Sequence, residues 1–302
     1  MKTFDRILAT VLLLLALAVP AGAGSLSNFG ENAWMGHLFA TAHTPAAAIY
    51  VALATANPDE TATGASMSEC ANSGNYARKA ITFAAAATRK IVQSGAVTFN
   101  QASGAWGVVT HWALVDSGTY GAGNVLAYGA FTASFSPVAG NTPSIADGEI
   151  EVEISASSGE GFTTGLVHSM LNLMFRNIAY SQPTTCIALL DTTGADGDTT
   201  LTGVAKEVAG TGYARVLVNK AGGANPTWET VANGATQNEE AVTFATVGAG
   251  GWGQIVGMAI VDNCTLDAGS VLAYDNDQIV DQTPSAGDTV TFPIGSIDTS
   301  IQ

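Results

Sequence analysis

His111 and Asp116, with serines nearby, are the residues of this chain that could build a hydrolytic triad. That chemistry needs a base to take the hydroxyl proton and a carboxylate to orient the base. Five residues along a strand turn the two side chains to opposite faces. The sequence has no G-x-S-x-G elbow and no H-E-x-x-H helix. Gly248–Gly253 has the form of a dinucleotide-binding glycine motif, but a β-like run follows it where a helix N-terminus would have to hold the pyrophosphate. The acidic loops Asp191–Asp198 and Asp275–Asp281 carry oxygen ligands of the kind calcium prefers, without EF-hand spacing. The reading is therefore of no catalytic residue, no bound cofactor and no metal, with solvated loop carboxylates. The three cysteines, Cys70, Cys186 and Cys264, match no zinc spacing. Their odd number leaves at least one thiol free or paired between chains, and Cys186, in an apolar run, reads as core.

What recurs is of another kind, because the chain is a tandem duplication. Tyr76-Ala77-Arg78, Ala96–Phe99, Trp106-Gly107, Ala113–Asp116 and Val125–Tyr128 return in order. Their counterparts are Tyr213-Ala214-Arg215, Ala241–Phe244, Trp252-Gly253, Ala259–Asp262 and Val271–Tyr274. A residue that serves chemistry in one copy should stand alone, whereas a residue that serves the fold should appear in both. His111 stands alone, since copy two has Gly257 there. Tyr76, Arg78, Trp106 and Asp116 return as Tyr213, Arg215, Trp252 and Asp262. These eight are the candidate structural or contact residues. A tryptophan buries a large area while its N–H finds a partner. An arginine pairs with a carboxylate or covers a ring. The functional alternative for the same set is a sugar-stacking site.

The elements that must position them follow two periods. Trp34, Met35, Leu38 and Phe39, and in copy two Met170, Leu171, Met174 and Phe175, fall on one face at helical spacing and predict a helix covering a sheet. Short β-rich runs follow: Ile49–Leu53, Arg78–Ala85, Ala96–Asn100, Val108–Asp116, Val125–Phe131 and Glu149–Ile154. Copy two offers Cys186–Leu190, Arg215–Asn219, Ala241–Thr246, Gln254–Asp262, Val271–Asp275 and Thr289–Ile294. Val108–Val115 and Ile255–Val261 are apolar on both alternating faces, which places each in the middle of its sheet. With no βαβ rhythm, the chain predicts a mainly β fold: two tandem antiparallel β-sandwich-like domains, each with one short N-terminal helix. The expected limits are a signal peptide at 1–23, copy one at 24–154, a linker at 155–160 and copy two at 161–302. Each copy is expected to fold alone.

Composition narrows the function. Ten Lys plus Arg against 25 Asp plus Glu give a net charge of −15, so a nucleic-acid or anionic-membrane partner is excluded. Charged residues are only 12% of the chain, against ~25% in ordinary globular domains. Lys2 and Arg6, the apolar Ile7–Val19 and the small Ala21-Gly22-Ala23 read as a secretory signal. That apolar run falls short of the ~20 residues a spanning helix needs, so no membrane span is expected after cleavage.

With those motifs in hand, both copies resemble a family of bacteriophage virion proteins, the tail fibre or tail-associated structural proteins. The ordered set carries the resemblance: a short helix, the Pro45–Leu53 strand, Asn75–Arg78 and Gly212–Arg215, then Ala-Val-Thr-Phe and Trp-Gly. An apolar strand closing in Asp, Gly123–Tyr128 with Gly269–Tyr274, and the Gly287-Asp288 turn complete it. The resemblance implies a non-enzymatic building block, located in the virion, whose partners are itself, as a homo-oligomer, and other particle or fibre components. The leader departs from that pattern and points to an exported extracellular fibre. A secreted glycan-binding module or adhesin on a cell-surface glycan is the alternative. Assembly is expected at sheet edges, with Glu149, Glu151 and Glu153 guarding the last strand of copy one. Thr289–Phe292 leave the matching strand of copy two uncharged.

Overall fold

A computed structural model describes residues 16–18, 23–156, 160–201, 206–276 and 282–301. The predicted leader lies almost wholly outside these residues. The described chain is mainly β with two helices. In copy one, seven strands follow the order Lys79–Ile81, Ile49–Ala54, Val109–Val115, Val125–Phe135, Ala23–Leu26, Glu151–Glu153, Lys90–Val92. Copy two repeats the first five positions with Val216–Leu217, Cys186–Leu190, Gly257–Val261, Val271–Asp275 and Glu160–Phe162. The doubly apolar runs do sit between neighbours, with Leu114 and Ala259 fully buried. Pairing is largely antiparallel. Two parallel contacts depart from the expectation, Ala16–Ala18 with Thr142–Ser144 and Ala23-Gly24 with Glu151-Val152.

Helix α1 spans Asn28–Phe39 and α2 spans Thr164–Arg176. The Ser27 hydroxyl accepts from Gly30 N–H and the Thr163 hydroxyl from Leu166 N–H, ordinary N-caps. All four residues of each apolar stripe are buried. Each helix lies on its own sheet and also meets the other copy. Phe39 of α1 meets Trp228 at 4.7 Å between ring centroids, and Phe175 of α2 meets Phe83 at 5.6 Å. The hairpin turn at Thr88-Arg89 returns as Asn233-Gly234, all four at positive φ. Arg89 N–H donates to His168 Nε2 of α2, and Gly234 N–H donates to Asn32 Oδ1 of α1. The copies thus contact each other reciprocally, helix to hairpin, as in an isologous dimer. One continuous apolar core runs through both.

The register corrects two expectations. Glu151–Glu153 pairs with Lys90–Val92, and Asp298–Ser300 pairs with Ala235–Gln237. The counterpart of the acidic strand is therefore Asp298–Ser300. Thr291-Phe292 instead pairs with Val242-Thr243, as Thr142–Ile145 pairs with Val97-Thr98. Glu151–Glu153 is also an interior strand, and Glu151 meets Lys90 at 2.9 Å. Cys186 is not plain core: it forms a disulfide with Cys264. At the corresponding place in copy one Tyr50 packs over Gly118, where a Cβ would lie 2.7 Å from the ring. Cys70 is buried and free, its thiol pushed up to about 12 chiefly by burial.

Candidate functional site

The eight recurring residues form one arrangement built twice. Tyr76 and Arg78 leave the chain on the same side, as their spacing requires, and converge on a carboxylate that sequence reasoning missed. Glu69 Oε1 accepts from the Tyr76 hydroxyl at 2.8 Å and from Arg78 Nε at 2.8 Å, while Oε2 accepts from Nη2 at 2.8 Å. In copy two Glu207 accepts from Tyr213 at 2.9 Å and from Arg215 at 2.8 and 2.7 Å. The tyrosine oxygen also accepts a strand amide, Leu53 N–H or Leu189 N–H, at 2.9 Å in each case. The second guanidinium edge holds a loop. Arg78 Nη1 donates to Ser117 and Ala122 carbonyls, and Arg215 Nη1 to Asn263 and Ala268 carbonyls. Glu69 and Glu207 precede their tyrosines by seven and six residues. That near-constant spacing was the signal available in the sequence.

The other recurring residues close the same unit. Trp106 stands edge-on to Tyr76 at 5.2 Å and 72°, Trp252 to Tyr213 at 5.3 Å and 75°. Their indole N–H groups donate to the Gly74 and Thr211 carbonyls. Asp116 and Asp262 do not reach the arginines. Each caps the turn after its strand, accepting from Asn124 N–H and from Ser270 N–H. Gly123 and Gly269 serve those turns at φ 83° and 82°. A Cβ there would crowd the Cβ of Ser117 at 2.6 Å and of Asn263 at 2.5 Å.

The electrostatics are those of a closed structural site. Arginine and glutamate side chains are 0% and 3% exposed in both copies. Burial first, and the glutamate charge second, push both tyrosine hydroxyls far above their ordinary range, so they remain donors at any physiological pH. Neither set presents a reactive group to solvent.

The single-copy candidates are dispersed. His111 is half-buried with its Nδ1 beside Thr110 Oγ1 at 2.8 Å, and Asp116 is engaged in its own turn. Burial lowers the His111 pKa. The Gly248–Gly253 loop leads to the isolated bridge Ile255–Gln282 and then a strand. Asp196 is paired with Arg89 and Asp198 with Lys206. Among the described residues no group of three His, Cys, Asp or Glu side chains is placed to hold a metal ion.

The arrangement recurs with the unit that carries it. A family model described as podophage GP4 fiber I protein gp80 matches residues 25–153 and again residues 161–300. The chain belongs to the gp80 fiber family. Each gp80 unit contains one complete Tyr-Glu-Arg set, with Tyr76, Glu69 and Arg78 in the first match and Tyr213, Glu207 and Arg215 in the second. Membership gives the chain a place among phage fibre proteins and associates it with other virion components. Comparison with curated proteins finds no match. Among the described residues no helix is long and apolar enough to cross a membrane.

Proposed function

We propose that this chain is a non-enzymatic structural subunit of a phage fibre, working as a homo-oligomer whose building block is a linked pair of gp80 units. The observation that carries the reading is the duplicated Tyr-Glu-Arg-Trp lattice. A group kept for chemistry needs access to substrate, and these groups are buried on their own backbone in both copies. The same burial weighs against sugar stacking on Trp106 or Trp252. The eight residues then serve to hold loops to strands. The copies, 24–154 and 161–302 about the link at 155–160, act as one body. Separation would uncover Phe39 and Phe175, which argues against the independent folding expected from their motifs. Export through the leader at 1–23 is the remaining part of the proposal. The Cys186–Cys264 disulfide supports it, because such bonds persist in oxidising surroundings.

The test is the assembled state. Light scattering and electron microscopy of the exported protein are expected to find a defined oligomer or fibre, beginning near Gly24 by intact mass. A monomer at high concentration would remove the structural-subunit reading. Hydrolase activity lost in a His111→Ala variant would overturn the non-enzymatic one.

A further inference from the structure

The reciprocal contact between the copies has one arginine where symmetry would place two. Arg89 lies at the tip of the copy-one hairpin and reaches into copy two. Its Nε donates to the Ile154 carbonyl at 2.9 Å, Nη1 to the Phe162 carbonyl at 2.8 Å and Nη2 to the Ser155 carbonyl at 2.9 Å. Nη1 also pairs with the Asp196 carboxylate. Three hydrogen bonds and an ion pair hold a non-glycine residue at φ 61°, a conformation that itself disfavours a side chain.

The residue in the same place in copy two is Gly234. The equivalence rests on three independent contacts. Arg89 and Gly234 both donate their N–H to the opposite helix. Their carbonyls accept from Ile154 N–H at 3.0 Å and from Ile301 N–H at 2.9 Å. Their turns are closed by the matching bridges Ala87–Lys90 and Ala232–Ala235. The acceptors correspond as well. Glu60 stands for Asp196, since their carbonyls accept from Asn28 N–H and Thr164 N–H at the start of α1 and α2. Leu26 stands for Phe162, each pairing with the long strand that follows the central one.

Gly234 brings no side chain to this second cradle. A cleft of about 550 Å³ lies there, lined by Leu26, Glu31, Glu60, Tyr128 and Asn233. The cavity beside Arg89 measures about 170 Å³. The cleft also has one carboxylate more, because Glu31 replaces Val167 on the helix. An arginine from position 234 itself is obstructed: a Cβ there would lie 2.8 Å from Glu31 Oε2 and 2.8 Å from the Ile301 carbonyl. Among the described residues no cation pairs with Glu31 or Glu60. Burial, and then the charge of Glu60, push Glu31 up to about 7, the response of a carboxylate beside another without a counter-charge.

We infer that the Glu31–Glu60 cleft binds a guanidinium supplied from outside the chain, most simply an arginine side chain, in the manner in which the related cradle binds Arg89. A guanidinium offers a planar fork of donors that suits a carboxylate beside backbone carbonyls. The strongly acidic chain favours a basic partner at long range.

The test uses the full-length protein and three capped peptides, Gly-Arg-Gly, Gly-Lys-Gly and Gly-citrulline-Gly, with N-acetylarginine amide as the free small ligand, followed by ligand-observed NMR. The arginine peptide is expected to bind at least tenfold more tightly than the citrulline peptide, with lysine between them. Glu60→Gln and Glu31→Gln should each weaken arginine binding by about tenfold. Glu60 is exposed, so its variant keeps the fold. Equal affinity for the peptide and N-acetylarginine amide would identify a site for small guanidinium compounds. Tighter peptide binding would identify a protein partner's arginine. Equal binding of arginine and citrulline peptides, no binding of either, or arginine binding unchanged in both glutamine variants overturns the inference. Arg89→Gly supplies a second check: where the variant keeps the fold, the site count should rise from one to two, and a count of one would break the equivalence of the two cradles.

Discussion

The two copies share a skeleton and differ in how it is fastened. Both fix a loop to the central sheet through a buried arginine, glutamate and tyrosine, with nearly the same distances. Copy two then adds the Cys186–Cys264 link where copy one relies on Tyr50 against Gly118. Copy one sends Arg89 across to Asp196, whereas copy two offers Gly234 and leaves Glu31 and Glu60 facing a cleft. Copy one joins its last ladder to the main sheet through Ala23-Gly24. Among the described residues of copy two, Ala235–Gln237 and Asp298–Ser300 form a separate ladder. Duplication keeps the buried Tyr-Glu-Arg set in both units. It frees the surface between units to become asymmetric, and that asymmetry marks where this chain differs from a simple dimer.

The largest test of the shared skeleton is removal of its arginines. Arg78→Ala and Arg215→Ala each strand a buried glutamate, at a cost of about 3–5 kcal/mol. Denaturant unfolding should show equal losses. A much smaller loss for Arg215→Ala would mean that the disulfide already secures the copy-two loop. Replacing arginine and glutamate together by apolar residues should recover part of the loss, because no unpaired charge is then buried.

The next effect belongs to copy two alone. The disulfide closes a sequence separation of 78 residues, and Cys186→Ser should remove about 2–4 kcal/mol. Reductant should lower the Tm of the parent to that of the variant. No shift on reduction would show that the bond is not formed in the exported protein.

The smallest effect separates the two cradles. Glu31 has a folded-state pKa of about 7, above its ordinary 4.5, chiefly through burial and then through Glu60. The folded form therefore holds the proton more tightly, and stability falls as pH rises from about 4.5 to about 7. Glu31→Gln removes that dependence, so its Tm gain over the parent should be larger at pH 8 than at pH 5. An equal gain at both would mean that Glu31 is not strained by its surroundings. An added arginine peptide should raise the parent's Tm at pH 8 more than the variant's and so narrow that difference.

The legible part of this fold was local. Trp34-Met35-Leu38-Phe39 announced a helix, and the double apolar faces of Val108–Val115 announced a central strand. The ordered motifs carry the likeness to the fibre family. Glu149–Ile154 and Thr289–Ile294 both alternate, and alternation cannot tell one ladder from the next, so the sequence pairs two strands that the structure places in different ladders. Asn233-Gly234 is the sequence a tight hairpin prefers. Thr88-Arg89 makes the same turn without that signal, so the correspondence between the turns emerges only when their hydrogen bonds are matched.

By itself, the sequence determined that there are two copies, that each is a β unit with a leading helix, and that Tyr, Arg and Trp recur as a set. Local periods of 2 and 3.6 residues carry that information, and duplication repeats it. Tertiary structure decided which carboxylate meets each arginine, which cysteines join, and that each helix also packs against the other copy. Those choices link residues far apart, Arg89 to Asp196 across 107 positions and Lys220 to the Leu38 carbonyl across 182. No local pattern encodes such pairs. They follow from packing two nearly alike surfaces face to face, where Arg89 finds its carboxylate and Gly234 brings no cation to Glu31 and Glu60.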